Sequence, residues 1–211
     1  MKLYEFAPTR SIRARWILQE LGIDFEAVSI DLPTRQHCSA EFLELNPAGK
    51  VPVLVDGDLV LSESVAIVLY LAEKYAERGF IPLEPDLRAE TYRWILFAVT
   101  ELEQPLWRIS KHTAILPEKD RIPADVALAR REFLPMAAVL ESHMKCRAYI
   151  VGDRLTAADF IVAYTLDWAD EVQLLGTCPN LRGYLERMYA RPRAPQRIAA
   201  AFRSLKSAAA A

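Results

Sequence analysis

Two kinds of hydrophobic pattern divide the chain near residue 77. Over residues 1–77, short runs at 2–6, 25–30, 53–55 and 59–61 predict strands, and segments at 12–21, 40–45 and 63–75, apolar at every third or fourth position, predict helices. Asp56-Gly57-Asp58, between the last two strands, is a hairpin turn sequence. The order β-α-β-α-β-β-α describes a small α/β domain whose sheet needs helices over its faces. Residues 78–86, with Gly79, Pro82, Pro85 and Asp86, read as a linker. From residue 87 to 211 strand signals stop, and helical spacing predicts an all-helical domain with helices over 87–112, 124–144, 157–174, 180–189 and 196–205. Pro105 should kink the first of these, because proline removes one helical hydrogen bond and crowds the preceding turn. Thr156-Ala157-Ala158-Asp159 has the form of a capping box, with Asp in place of Glu or Gln, and is assigned to folding rather than catalysis. The alanine run 208–211 reads as a frayed tail.

Composition narrows the partners. With 52% hydrophobic residues in 211, the chain has ample material for packed cores. Its 26 basic and 28 acidic residues nearly cancel and are scattered, so nucleic acid and anionic membrane surfaces are not expected partners, and a small neutral or zwitterionic molecule is. Cys38, Cys146 and Cys178 are odd in number and form no Cys-x-x-Cys pair, which suits free thiols in a reducing compartment. Glu5 falls where a signal peptide needs apolar residues, and the longest apolar stretch, 65–72, is too short to span a bilayer, so a cytoplasmic location is expected. No metal site is expected.

Two short segments carry candidate chemistry. Asn46-Pro47-Ala48-Gly49-Lys50-Val51-Pro52-Val53-Leu54 is a turn entering a strand at Pro52, where a missing ladder donor is tolerated. A cis Val51-Pro52 bond would turn the Val51 N–H and C=O outward, available to an extended peptide; a trans or edge proline is the plainer reading of the pair. Ser62-Glu63-Ser64 begins a helix just after a hairpin. Ser64 there presents a hydroxyl and an N–H where the helix dipole attracts anions, whereas Ser62 alone reads as a helix cap. Together the segments make a peptide-sized cradle, with backbone pairing in the middle and a carboxylate site at one end.

Leu3-Tyr4 leading into Pro8-Thr9-Arg10-Ser11, the run from Glu41 through Leu54, Leu61-Ser62-Glu63-Ser64-Val65-Ala66-Ile67, and Val151-Gly152-Asp153-Arg154-Leu155-Thr156-Ala157-Ala158-Asp159-Phe160 resemble, in order, the motifs of cytosolic glutathione transferases. The resemblance spans nearly the whole chain, with phi-like, theta-like and nu-like bacterial features. It implies a thioredoxin-like first domain followed by a helical bundle, and glutathione as co-substrate. It further implies that Ser64 holds the γ-glutamyl carboxylate and Glu63 lies near its ammonium. Val51, ahead of Pro52, pairs with the cysteinyl unit, and Lys50 reaches the glycyl carboxylate. The stretch around His37 resembles the plant phi-like branch, in which a histidine helps bind that same carboxylate; a lone surface histidine is otherwise simply solvated.

In this family a tyrosine, serine or cysteine after the first strand activates the thiol. Here the loop reads Ala7-Pro8-Thr9-Arg10-Ser11-Ile12-Arg13: Tyr4 is too early and no cysteine is present, which leaves Thr9 or Ser11. Either also suits the N-cap of the first helix, where the dipole favours a thiolate. The resemblance implies conjugation of a small electrophile, contacted on the first long helix by Tyr92, Leu96 and Val99, in a homodimer. Two other classes stay open: a glutathione-dependent disulfide reductase, isomerase or dehalogenase, toward which Pro8-Thr9 points, and a non-catalytic interaction protein on the same fold.

Overall fold

Strands β1 (Lys2–Glu5), β2 (Glu26–Ser29), β3 (Val53–Asp56) and β4 (Leu59–Ser62) form one sheet in the order β2-β1-β3-β4. β1 and β2 are parallel, joined by the crossover helix α1 (Ser11–Leu21), and β3 is antiparallel to both β1 and β4. Helix α2 (Ala40–Leu45) precedes β3, and α3 (Ser64–Lys74) follows β4. The hairpin closes through Gly57 at φ +61° and Asp58, with Asp56 opposite Leu59, as the Asp-Gly-Asp sequence predicts.

Strand alternation separates two faces of this sheet. Leu3 and Leu54, opposite each other in the ladder, are fully buried, and α1 and α3 pack together over the sheet with Ile17, Leu18, Ile67 and Val68. On the other face Tyr4 and Val53 pack with Ile30 and with Phe42 of α2. This is the α/β sandwich expected from the element order, with ends shifted by one or two residues.

The remaining helices are α4 (Pro85–Phe97), α5 (Glu103–Ser110), α6 (Pro123–His143), α7 (Ala157–Glu171), α8 (Pro179–Tyr189) and α9 (Ile198–Ala209). In this computed structural model, which describes residues 1–209, the chain divides into two compact units. One is Met1–Ile81 with the chain from Tyr189 onward, and the other is Pro82–Met188. The change of element type near residue 77 and the division into units therefore treat the last helix differently. Of the terminal alanine run, Ala208 and Ala209 end α9, and Ala210 and Ala211 lie outside the described residues.

The segment expected as one helix with a kink at Pro105 is continuously helical but irregular. A π turn, Ala98–Leu102, separates α4 from α5 just ahead of the proline, in the turn that Pro105 crowds and to which it can donate no hydrogen bond. In the helical unit the capping box at Thr156 and Asp159 is present. Asp159 is fully buried on α7, and its carboxylate accepts from Ile150 N (3.0 Å), Thr156 N (2.8 Å), Thr156 Oγ1 (3.1 Å) and Tyr184 Oη (2.9 Å). It therefore ties a loop, a helix start and α8 to one point.

Burial raises the Asp159 carboxyl from 3.8 to about 6, against the four donors, which favour the charged form. The folded state consequently holds more protons than the unfolded chain between about pH 4 and 6, and the stability arising from this difference is present below that window and lost as pH rises through it. Asp159→Ala should lower unfolding free energy by about 3 kcal/mol at pH 7, because buried donors lose their acceptor. The gap between wild type and variant should be larger at pH 4, by about 2–3 kcal/mol. Urea unfolding at both pH values measures this; a gap that widens as pH rises would reverse the assignment.

Candidate active site

The sheet register assembles the site. Tyr4 pairs with Val53, and Val53 with Ser62, so the C-terminal end of β1, the N-terminal end of β3 and the C-terminal end of β4 lie side by side. Continued two residues past these pairs, the same register brings Phe6, Val51 and Ser64 to one end of the sheet. Three segments separated by about 45 and 13 residues in sequence thus converge through strand pairing alone.

In the first segment the chain leaves β1 through a tight turn, with Thr9 N donating to Phe6 O at 3.0 Å and a cis Ala7-Pro8 bond. Thr9 Oγ1 donates to Phe6 O, since a carbonyl can only accept. Ser11 Oγ accepts from Phe6 N at 3.2 Å and lies 2.9 Å from Thr9 Oγ1. With the Thr9 proton on Phe6 O, Ser11 is the donor in that pair. The two hydroxyls differ in access: Thr9 is half-buried, whereas Ser11 is 1% exposed. Neither is the N-cap, contrary to the capping alternative. That position is Arg10, which makes no side-chain cap, and Ser11 is the first helical residue.

The second segment is held by Asn46, whose side chain donates to Lys50 O at 2.7 Å and accepts from Ala48 N at 3.1 Å. The Val51-Pro52 bond is cis, and Val51 lies just before the β3 ladder begins at Val53. Gly49 has φ +59°, and a Cβ there would come within 3.2 Å of His37 O, so only glycine lets this loop lie against the turn Gln36–Cys38. His37 is thereby set beside the 46–51 loop, and its buried Nδ1 meets no hydrogen-bond partner among the described residues. Lys50 is exposed.

In the third segment Ser62 completes β4, opposite Val53, and does not cap α3. Glu63 is the N-cap, at φ 68°, a left-handed backbone that is uncommon for a non-glycine residue and clusters at functional sites. Ser64 follows as the first helical residue, 4% exposed, and its Oγ accepts from Arg13 Nη1 at 3.3 Å. Because Arg13 occupies a lone pair, the Ser64 hydroxyl proton is left to donate outward.

Arg13 and Asn46 are the residues to which the sequence reading gave no role. Arg13 is 1% exposed, and three, four and eight residues on from it stand Trp16, Ile17 and Leu21. An arginine at a core position of the helical period was the available signal. Asn46, 6% exposed, was visible only as part of a motif. Among the described residues, no group of three or more His, Cys, Asp or Glu side chains is placed to hold a metal, and no helix is long and apolar enough to cross a membrane.

The chain matches two family models in order: the glutathione S-transferase N-terminal domain over residues 1–73 and the C-terminal domain over residues 120–187. Glutathione S-transferase 3 of Zea mays is 32% identical to it over 209 residues, covering 95% of this chain and 94% of that protein. The structure of a glutathione S-transferase from Xylella fastidiosa superposes with a TM-score of 0.81 at 29% identity, over 96% of this chain and 97% of that one. A glutathione transferase from Burkholderia graminis, with two glutathione molecules bound per subunit, superposes with a TM-score of 0.83 over 92% and 85% of the two chains; at 24% identity this is a likeness of fold. With both domains matched in order, and a relative this similar along almost its full length, the chain belongs to the glutathione S-transferase family.

Proposed function

We propose that this protein is a glutathione transferase that binds the tripeptide at the end of the sheet and activates its thiol for attack on a small electrophile. The observation that carries this reading is the convergence of the Thr9, Val51 and Ser64 segments through the sheet register. Ser64 and the N-terminus of α3 take the γ-glutamyl carboxylate, with Glu63 near the ammonium. Val51, ahead of Pro52, pairs its backbone with the cysteinyl unit. Lys50 and His37 meet the glycyl carboxylate, and the open Nδ1 of His37 supports this part. Tyr92, Leu96 and Val99 are proposed contacts for the electrophile. Three cysteines free of disulfides fit a cytoplasmic setting, and a homodimer is the proposed assembly.

Thr9 is the residue proposed to act on sulfur. It is the more accessible hydroxyl, and Ser11, donating to Thr9 Oγ1, holds it in place while the Thr9 proton turns from Phe6 O toward the thiolate. The N-terminus of α1 adds a favourable field. A second reading, reduction of mixed disulfides on the same site, rests on the Pro8-Thr9 loop. Turnover of an aryl halide against that of a mixed disulfide separates the two.

Ser64→Ala should leave the melting temperature nearly unchanged and weaken glutathione by roughly 1–3 kcal/mol, the usual worth of a hydrogen bond to a charged group, as calorimetry would show. Equal affinity in wild type and variant would remove Ser64 from the carboxylate site. Thr9→Val should raise the apparent pKa of the bound thiol by about two units, equivalent to about 2.7 kcal/mol, with a smaller rise in Ser11→Ala. The pH dependence of thiolate absorbance reads this directly. A low pKa retained in both variants and in the double variant would assign activation to backbone N–H groups and the helix dipole.

A further inference from the structure

A cavity of about 580 Å³ opens on the β2 side of the sheet. Ile12, Arg15 and Gln19 of α1 form one wall, Ala27 of β2 another, and Leu205 of α9 closes it from the C-terminal segment. Its size falls within the range of about 300–1,000 Å³ usual for small-molecule sites. The stripe Ile12, Arg15, Gln19 lies about 120° around α1 from Arg13, which turns to Ser64, at 100° per residue. In the sheet, the cavity borders β2 and the end of β1, through Glu5, Phe6 and Ala7, whereas Val51 just before β3 and Ser64 just after β4 lie on the other side of β1. The cavity shares Phe6 with the turn that holds Thr9, but its lining includes none of His37, Lys50, Val51, Glu63 and Ser64 of the proposed glutathione cradle.

The walls specify a kind of ligand. Arg15 is the one basic residue lining the cavity among the described residues, and it binds Glu5 through both carboxylate oxygens, with Nε to Oε2 at 2.9 Å, so this pair presents no net charge to attract an ion. Phe6, Ile12, Ala27 and Leu205 give the cavity an apolar interior. Ser29, Gln196 and Gln19 are its uncharged polar residues, and of these Gln19 has a buried Oε1 that meets no hydrogen-bond donor among the described residues, an acceptor left unsatisfied at the wall. We infer that this cavity is a second binding site, for a neutral molecule with a compact apolar or aromatic body and one O–H or N–H group directed at Gln19.

The probe is 2-naphthol, a neutral fused bicycle with a single hydroxyl, titrated into the intact chain by its fluorescence, with naphthalene as the counterpart that lacks the donor. The wild type should bind 2-naphthol more tightly than naphthalene. Gln19→Leu should weaken 2-naphthol roughly fivefold, the usual worth of one neutral hydrogen bond, and leave naphthalene unchanged. Ala27→Trp, an aromatic placed at an exposed β2 position that tolerates it, should fill the cavity and weaken both probes more than tenfold. S-hexylglutathione, whose own binding is followed separately by calorimetry, should not displace 2-naphthol. No binding of 2-naphthol to the wild type, equal loss of both probes in Gln19→Leu, or displacement by S-hexylglutathione would each overturn the assignment. Melting curves check that both variants fold; if Ala27→Trp does not, the contrast between the two probes in Gln19→Leu carries the test. The outcome does not depend on whether the chain binds glutathione.

Discussion

Strand pairing is the constraint on which the proposed glutathione site depends. Leu3 opposite Leu54 and Tyr4 opposite Val53 set the β1-β3 register, and Val53 opposite Ser62 carries it to β4. A slip of one residue would move the buried Leu3 and Leu54 to the opposite face and would also misalign the three loops at the sheet's end. Core burial therefore enforces the register, and the register places the site. The same apolar side chains that stabilise the domain determine which loops meet, although none of them touches the proposed ligand.

What register brings near, buried polar groups hold still. Arg13 joins the first turns of α1 and α3 through Ser64 Oγ, and Asn46 closes the 46–50 turn onto itself. Thr9, Ser11 and Phe6 form a closed set of hydrogen bonds in which each hydroxyl has a distinct part. Ser11, the more buried of the two hydroxyls, is the proposed support of Thr9. Polar groups this buried are costly unless satisfied, so each fixes a geometry as well as contributing energy.

The helical unit uses the same device for a different end. Asp159 gathers two backbone donors and two hydroxyls from three places in the chain, and nothing about it suggests a substrate. Its raised pKa comes from burial, and a perturbed carboxyl marks a structural staple here as readily as it would mark a catalytic acid. The surrounding donors, all of them groups of the fold itself, identify the structural meaning here.

The sequence by itself determined the element order, the hairpin at Gly57, the capping box and the family resemblance, because each depends on residues close together in the chain. Hydrophobic period and turn chemistry are local, and they survive in a string of letters. The parts of Thr9 and Ser11 were not local: the two differ in burial and in which proton each has to give, and both differences arise from how β1 turns into α1. Arg13 read as one of several charged residues on a helix until the packing of α1 against α3 buried it against Ser64. The cavity beside Gln19 was invisible for the same reason, since its walls come from residues nearly two hundred positions apart. Such relations depend on three-dimensional packing, which no spacing along a single segment encodes.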